Sequence, residues 1–293
     1  MTDSFTPSRL RLFAAIEGGS ALWHNEIFEF GCDYVLSKIL DGGYEHFSDS
    51  VARIRHRLQQ INIEQLLEQV AESGATFVTH ESPDWPAQLE ALAAPPIGLL
   101  VKGNRGLLAN LDRSISIVGT RNPSTYGTRI AGDFAIGATD HSWSVVSGGA
   151  YGIDATAHRA ALLNDGSTVA VLAGGFGHNY PAGHADLFSE IAQDGLLITE
   201  VMPEVAAEPF RFLTRNRIIA ALSRGTVVVE AAYRSGSLRT ARDAAEIFRQ
   251  VMAVPGPINS PTSAGCHRLI AERSAELVTS FSDVLELVNP LGS

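Results

Sequence analysis

The chain has 293 residues, 45% of them hydrophobic, and a formal net charge of -10 at pH 7. The length allows roughly two domains, and the apolar share is ordinary for a globular chain with a full core. No segment approaches the roughly 18 uninterrupted apolar residues of a membrane helix. Lys38 and Lys102, the only lysines among 22 basic side chains, are not followed by Ser or Thr, which excludes a Walker A ATPase loop.

The first part of the chain reads as short helices over 8–17, 33–40, 51–60 and 63–72, with Asp41-Gly42-Gly43 as a turn. MTDSFTPSRLRLF lacks the basic-then-apolar order of a secretory signal. Cys32 and Cys266 form no Cys-x-x-Cys pair, so a reducing cytoplasm is expected rather than a disulfide or zinc framework. ATFVTH at 75–80 reads as extended, and the proline-rich stretch after it as a connector ending in a strand, IGLLVKG. These signals divide the chain into a helical domain, 1–73, and a second domain, 74–293, whose connector is 74–112.

From about residue 114 short apolar runs alternate with helical patterns. The runs are SISIV at 114–118, WSVV at 143–146, TVAVLA at 168–173, LLIT at 196–199, TVVVEA at 226–231 and VMAV at 251–254. Leu238, Ala241, Ala245 and Phe248 form an apolar stripe at helix spacing between two of them. Strands alternating with helices predict a doubly wound α/β fold with a mainly parallel sheet covered on both faces.

Three glycine-rich turns fall at strand ends, where open parallel sheets bind ligands. They are GTRNPSTYG at 119–127, SGGAYGID at 147–154 and AYRSGS at 232–237. Glycine brings backbone amides close to an anion, and the following helix adds partial positive charge. Arg121 and Arg234 add side-chain charge. FRFLTRNRIIAALSR at 210–224 holds Arg211, Arg215, Arg217 and Arg224 with no Asp or Glu, and Phe210 and Phe212 stand beside the arginines. A cationic, aromatic surface on an acidic protein suits a phosphate chain with exposed bases. Asp154 and His158 read as a helix cap and a packed histidine more readily than as a catalytic dyad. Ser235 and Ser237 read as caps or phosphate contacts. Glu230 reads as a general base or as the partner of Arg215 or Arg217. His178, His184 and His267 have no metal-ligand spacing. GGFGHNY at 174–180 puts Tyr180 where a dinucleotide fingerprint needs its third glycine.

GTRNPSTYG, SGGAYGIDATAHRAAL, VLAGGFGHNYP, RNRIIAALS, EAAYRSGSLRTARDAAE and AVPGPINSPTSAGCHRLI, in this order, resemble the signature segments of the DNA-processing protein A (DprA/Smf) family over about residues 75–280. The resemblance implies a Rossmann-like domain preceded by a small SAM-like helical domain. It implies a homodimer that binds single-stranded DNA and loads the RecA recombinase onto it during natural transformation, with no cofactor and no established chemistry on the DNA. The implied binding residues are Arg121, Ser147, Gly148, Gly149, Phe212, Arg215, Asn216, Arg217, Ser235, Gly236 and Ser237. The chain departs from the family pattern at Ala173, Leu213, Arg239, His267, Arg273 and Ser274. It ends at Ser293, too soon for the C-terminal winged-helix domain of many members. The alternatives are a nucleotide sensor using the same rim and a nucleoside-monophosphate glycosidase. The glycosidase turn, P-G-G-x-G-T-x-x-E, is replaced here by EAAYRSGS.

Overall fold

A computed structural model describes residues 5–44 and 48–289. Five helices come first: α1 (Pro7–Ala15), α2 (Ala21–Phe30), α3 (Cys32–Leu40), α4 (Ser48–Gln60) and α5 (Ile63–Glu72). Helix α2 has no counterpart in the sequence reading. Only Trp23 and Ile27 turn inward from it while Phe28 and Phe30 stay exposed, so its apolar residues trace no single stripe. Leu12, Trp23, Val35, Ile39, Val51 and Leu58 form a core made from these helices. A second cluster joins Leu10 and Phe13 of α1 and Leu66 and Val70 of α5 to Phe77, Leu100 and Met202. The Phe77 ring lies 5.1 Å from Phe5 and 5.0 Å from Phe13, so the helical part is packed onto the edge of the sheet.

The sheet has nine strands: β1 (Thr76–Val78), β2 (Leu99–Gly103), β3 (Ser114–Val118), β4 (Ser144–Ser147), β5 (Thr168–Leu172), β6 (Leu196–Thr199), β7 (Gly225–Val228), β8 (Gln250–Ala253) and β9 (Glu276–Leu277). Their order is β1-β2-β6-β5-β4-β3-β7-β8-β9. All pairings from β6 to β9 are parallel, and β2 joins β6 and β1 antiparallel. The expected doubly wound, Rossmann-like α/β sheet is present. The chain ends β7 at Val228, earlier than the apolar run suggests: the Val229 amide makes the last bond to β3, at Val118 O, and the Ala231 amide turns away to Thr262 O. Strand β9 has two exposed residues and leaves no apolar signature.

Alternate residues of each strand face opposite sides. Val118, Val146, Val169 and Val171 meet Ile218, Ile219 and Leu222 of α9 (Pro209–Leu222), Leu238 and Ala241 of α10 (Ser237–Glu246), and Leu269 of α11 (Ala264–Ala271). Ile115, Ile117, Val145 and Val227 meet Phe134 of α6 (Thr125–Asp140), Ala157 of α7 (Ile153–Leu163) and Phe281 of α12 (Phe281–Val288). Ala170 and Leu172 pack on Leu187, Phe188 and Ile191 of α8 (Ala185–Asp194). Strands β3 to β6 step outward in one direction and β7 to β9 in the other. The strand order therefore reverses between β3 and β7, where an open α/β sheet forms its ligand crevice.

His158 lies fully buried between α7 and β5, with Nδ1 2.7 Å from Thr168 Oγ1 and no partner at Nε2. Burial pushes its pKa down to about 3. The unfolded chain takes up this proton near pH 6.5 and the folded chain does not, so the site loses stability as pH falls from about 6.5 towards 3, by up to about 1.4 kcal/mol per pH unit. Comparing urea midpoints of the native chain and a His158→Gln variant at pH 7 and pH 5 checks this, and the native chain should lose more on acidification. Phe77→Ala should cost about 3–5 kcal/mol in the same assay, because its cavity opens between the helical part and the sheet.

Candidate nucleic-acid interface

Each of the three glycine-rich turns at the carboxyl edge is fastened by its own side chains. After β3, Ser124 Oγ accepts from the Gly127 amide at 3.1 Å and caps α6. Glu230 accepts from Ser124 N at 2.9 Å, from Ser124 Oγ at 2.7 Å and from Thr262 Oγ1 at 3.0 Å. Glu230 therefore staples this turn, in place of the base or arginine-orienting role read from the sequence. After β4, Gly149 and Gly152 adopt positive φ values of 67° and 82°. Asp154 Oδ2 closes that turn by accepting from Gly148 N at 3.1 Å and Ala150 N at 3.4 Å. Two amides expected to face a phosphate are thus already taken by a carboxylate. After β7, Ser235 Oγ and Ser237 Oγ are 2.7 Å apart, and the Ser237 amide donates to Ser235 Oγ at 3.4 Å.

Helix α9 distributes the arginine run over different neighbours, since successive residues rotate by about 100°. Arg211 pairs with Glu17 at 2.7 Å and with Glu208 at 3.5 Å. Arg217 pairs with Glu200 and donates to Ala94 O at 2.9 Å. Arg224, which lies past the end of α9, donates to Val288 O at 3.1 Å. Arg215 alone reaches the rim. The expectation of one cationic face, and of an Arg215–Arg217 pair on it, is corrected accordingly. Helix periodicity places Arg217 on the flank that meets the buried Glu200 carboxylate.

Arg215 is buried, donates from Nη1 to Val171 O at 2.6 Å, and fills the space that a β-carbon on Gly148 would need. Burial lowers its pKa to about 10, Asp154 opposes that shift and Arg121 adds to it, so the guanidinium is charged at neutral pH. Burial raises the pKa of Asp154, and the nearby Arg215 cation and the two amides counteract it. In the same groove the exposed Arg121 guanidinium lies 5.2 Å from the centroid of the Phe212 ring. Tyr180 lies 5.1 Å from the same ring at an interplanar angle of 59°.

These groups line a groove of about 470 Å³ between the ends of β3 and β7. It brings together Arg121, Phe212, Arg215, Asn216, Ser235, Gly236 and Ser237 from the residues named by sequence. Gly148 borders a small adjoining recess. Three others lie elsewhere. Ser147 is buried and donates to Ile117 O at 2.6 Å, tying β4 to β3. Gly149 leaves room for the Phe188 ring, and Arg217 faces Glu200. Arg234 is exposed and does not line the groove. The sequence reading missed Tyr180 as a wall of the site. Its signal was the aromatic residue ending GGFGHNY, weighed there only as a failed glycine. Among the described residues no group of three or more His, Cys, Asp or Glu side chains is placed to hold a metal ion.

Comparison with known proteins bears on this groove. A curated relative from Mycobacterium tuberculosis is 45% identical over 237 residues, covering 77% of this chain and 61% of its own length, so the chain spans less than two thirds of that protein. The DNA processing protein DprA of Bacillus subtilis is 36% identical over 237 residues, covering 80% of this chain and 79% of its own. The crystal structure of DNA processing protein A from Streptococcus pneumoniae superposes with a TM-score of 0.82 at 33% identity, over 98% of each chain. The Helicobacter pylori DNA processing protein A, solved for its single-stranded DNA binding mode, gives a TM-score of 0.66 at 27% identity over 74% of this chain and 97% of its own. The family model described as DNA recombination-mediator protein A matches residues 76–289. That match takes in every strand of the sheet and both arms of the groove, and the chain belongs to the DNA recombination-mediator protein A family.

Proposed function

We propose that the chain binds single-stranded DNA along the β3–β7 groove and acts as a recombination mediator that loads RecA on incoming DNA in natural transformation. In this reading it works in the cytoplasm as a homodimer and does no chemistry on the strand. The observation that carries the reading is the Phe212 ring, flanked by the Arg121 guanidinium and Tyr180 and lining the same groove as the buried Arg215 cation. An aromatic face suits a base that is free to unstack, which a single strand presents and a duplex does not. The net charge of -10 opposes general coating by nucleic acid, so binding concentrates where the local charge is positive. The family description supports the mediator role, and the binding mode studied in the Helicobacter pylori relative supports the ligand. Among the described residues no helix is long and apolar enough to cross a membrane.

With Arg217 engaged by Glu200 and the second turn's amides closed by Asp154, Arg121 and Arg215 remain as the phosphate-facing cations. Two phosphate contacts give a log-log salt slope of about −1.4 per site on a single strand. A homodimer would engage two sites on one strand and raise affinity through effective concentration.

Anisotropy titrations with a labelled oligo-dT strand, its duplex and dTMP, at two salt concentrations, test this reading. Affinity should rank the strand well above the duplex and the mononucleotide. Comparable duplex binding would overturn the groove assignment, and preference for dTMP would support the sensor. Phe212→Ala should weaken strand binding by about 1–3 kcal/mol. Arg121→Ala should also reduce the salt slope by about 0.7. Arg217→Ala should leave the slope unchanged and lower the melting temperature, because it strands the buried Glu200 carboxylate. Nucleation of RecA on the same oligonucleotide should accelerate with the native chain and not with Phe212→Ala.

A further inference from the structure

A recess of about 590 Å³, larger than the rim groove, lies where α2 meets the connector around 80–97. Ile27 and Phe28 of α2 and the adjacent Pro95 and Pro96 give it apolar walls, and Trp85 and Glu90 give it a polar one. Trp85 Nε1 donates to Glu90 Oε1 at 2.8 Å, which fixes an indole ring beside a carboxylate. The other charges in the recess are accounted for. Arg9 and His80 lie 2.7 and 3.3 Å from Glu81, and burial lowers the pKa of His24 below its ordinary 6.5 against the opposing influence of Glu90. Among the described residues no Arg or Lys pairs with Glu90. One uncompensated negative charge therefore stands next to an aromatic ring, in a recess that also exposes 80% of Phe28.

We propose that this recess docks an arginine side chain with an apolar neighbour, presented by an extended segment of a partner protein. A guanidinium matches the wall better than an ammonium does. Its plane stacks on the indole while its N–H fork donates to Glu90. The apolar neighbour covers Phe28, and the Pro95–Pro96 wall, which carries no backbone donor, packs against extended chain. Strong acid–base complementarity at so few groups gives selectivity for the cationic segment and modest affinity. The recess is separate from the rim groove, with no lining residue in common.

The test uses the whole chain and its tryptophan fluorescence. Trp23 and Trp143 are buried, so Trp85 reports on the recess, and a Trp85→Phe variant supplies the background. The probes are the capped peptides acetyl-Leu-Arg-Leu-amide, acetyl-Leu-Gln-Leu-amide and acetyl-Leu-Glu-Leu-amide. The arginine peptide should give a saturable change that is absent in Trp85→Phe. Glu90→Gln should weaken it about fivefold, and Phe28→Ala should do so by a similar factor. Both substitutions are at exposed side chains, and oligo-dT affinity should stay unchanged in each. Equal binding of the glutamine or glutamate peptide, insensitivity to Glu90→Gln, or no saturable signal up to about 10 mM peptide would overturn the proposal.

Discussion

Arg215 is nine-tenths buried at the carboxyl edge of the sheet, and the shape of the rim depends on how its charge is compensated. Its guanidinium donates to the β5 carbonyl of Val171 and occupies the space beside Gly148. Asp154, on the first turn of α7, supplies the opposing charge and is itself held by the Gly148 and Ala150 amides. A glycine and an acid of one turn and a cation from α9 thus act as one unit. Loss of one charge would leave the other buried and uncompensated, which typically costs about 3–5 kcal/mol. The same unit fixes the Arg215 guanidinium in the wall of the groove.

An acidic protein can bind a polyanion when the cations that matter are few and well placed. Here Arg215 is fixed from below and Arg121 is added from the β3 turn, while Phe212 lies within cation–π distance of Arg121. The aromatic ring therefore orders the exposed arginine and, in the proposed reading, offers a face to a base. Tyr180 closes the other flank from the loop after β5, a segment far from both in sequence.

The remaining arginines of α9 hold the molecule together. Arg211 reaches Glu17 after α1, and Arg217 reaches Glu200 after β6 and the Ala94 carbonyl of the connector. With Arg9 bound to Glu81 and to Ile97 O, these contacts link the helical part to the sheet beside the apolar cluster around Phe77. One helix therefore serves the groove on one face and the seam with the helical part on another. That arrangement explains three arginines without acids on α9, of which only one guanidinium faces the groove.

The α/β class, the six apolar strands and the positions of the three turns were legible from sequence, because buried parallel strands are continuous apolar runs and glycine marks the turns. The grouping of Arg121, Phe212, Arg215 and Ser235 to Ser237 was legible from ordered motifs. The partners of the charges were not. A one-dimensional run cannot show that Arg217 meets Glu200 or that Glu230 fastens Ser124, since each partner arrives from another segment, nor that Asp154 consumes the amides of its own turn, since the folded backbone of that turn aims them at it. Helix α2 escaped notice because it buries only two side chains, and Tyr180 because its role depends on a neighbour in α9. Local pattern determined which elements form. Long-range packing decided which charges are neutralised and which remain to meet a ligand.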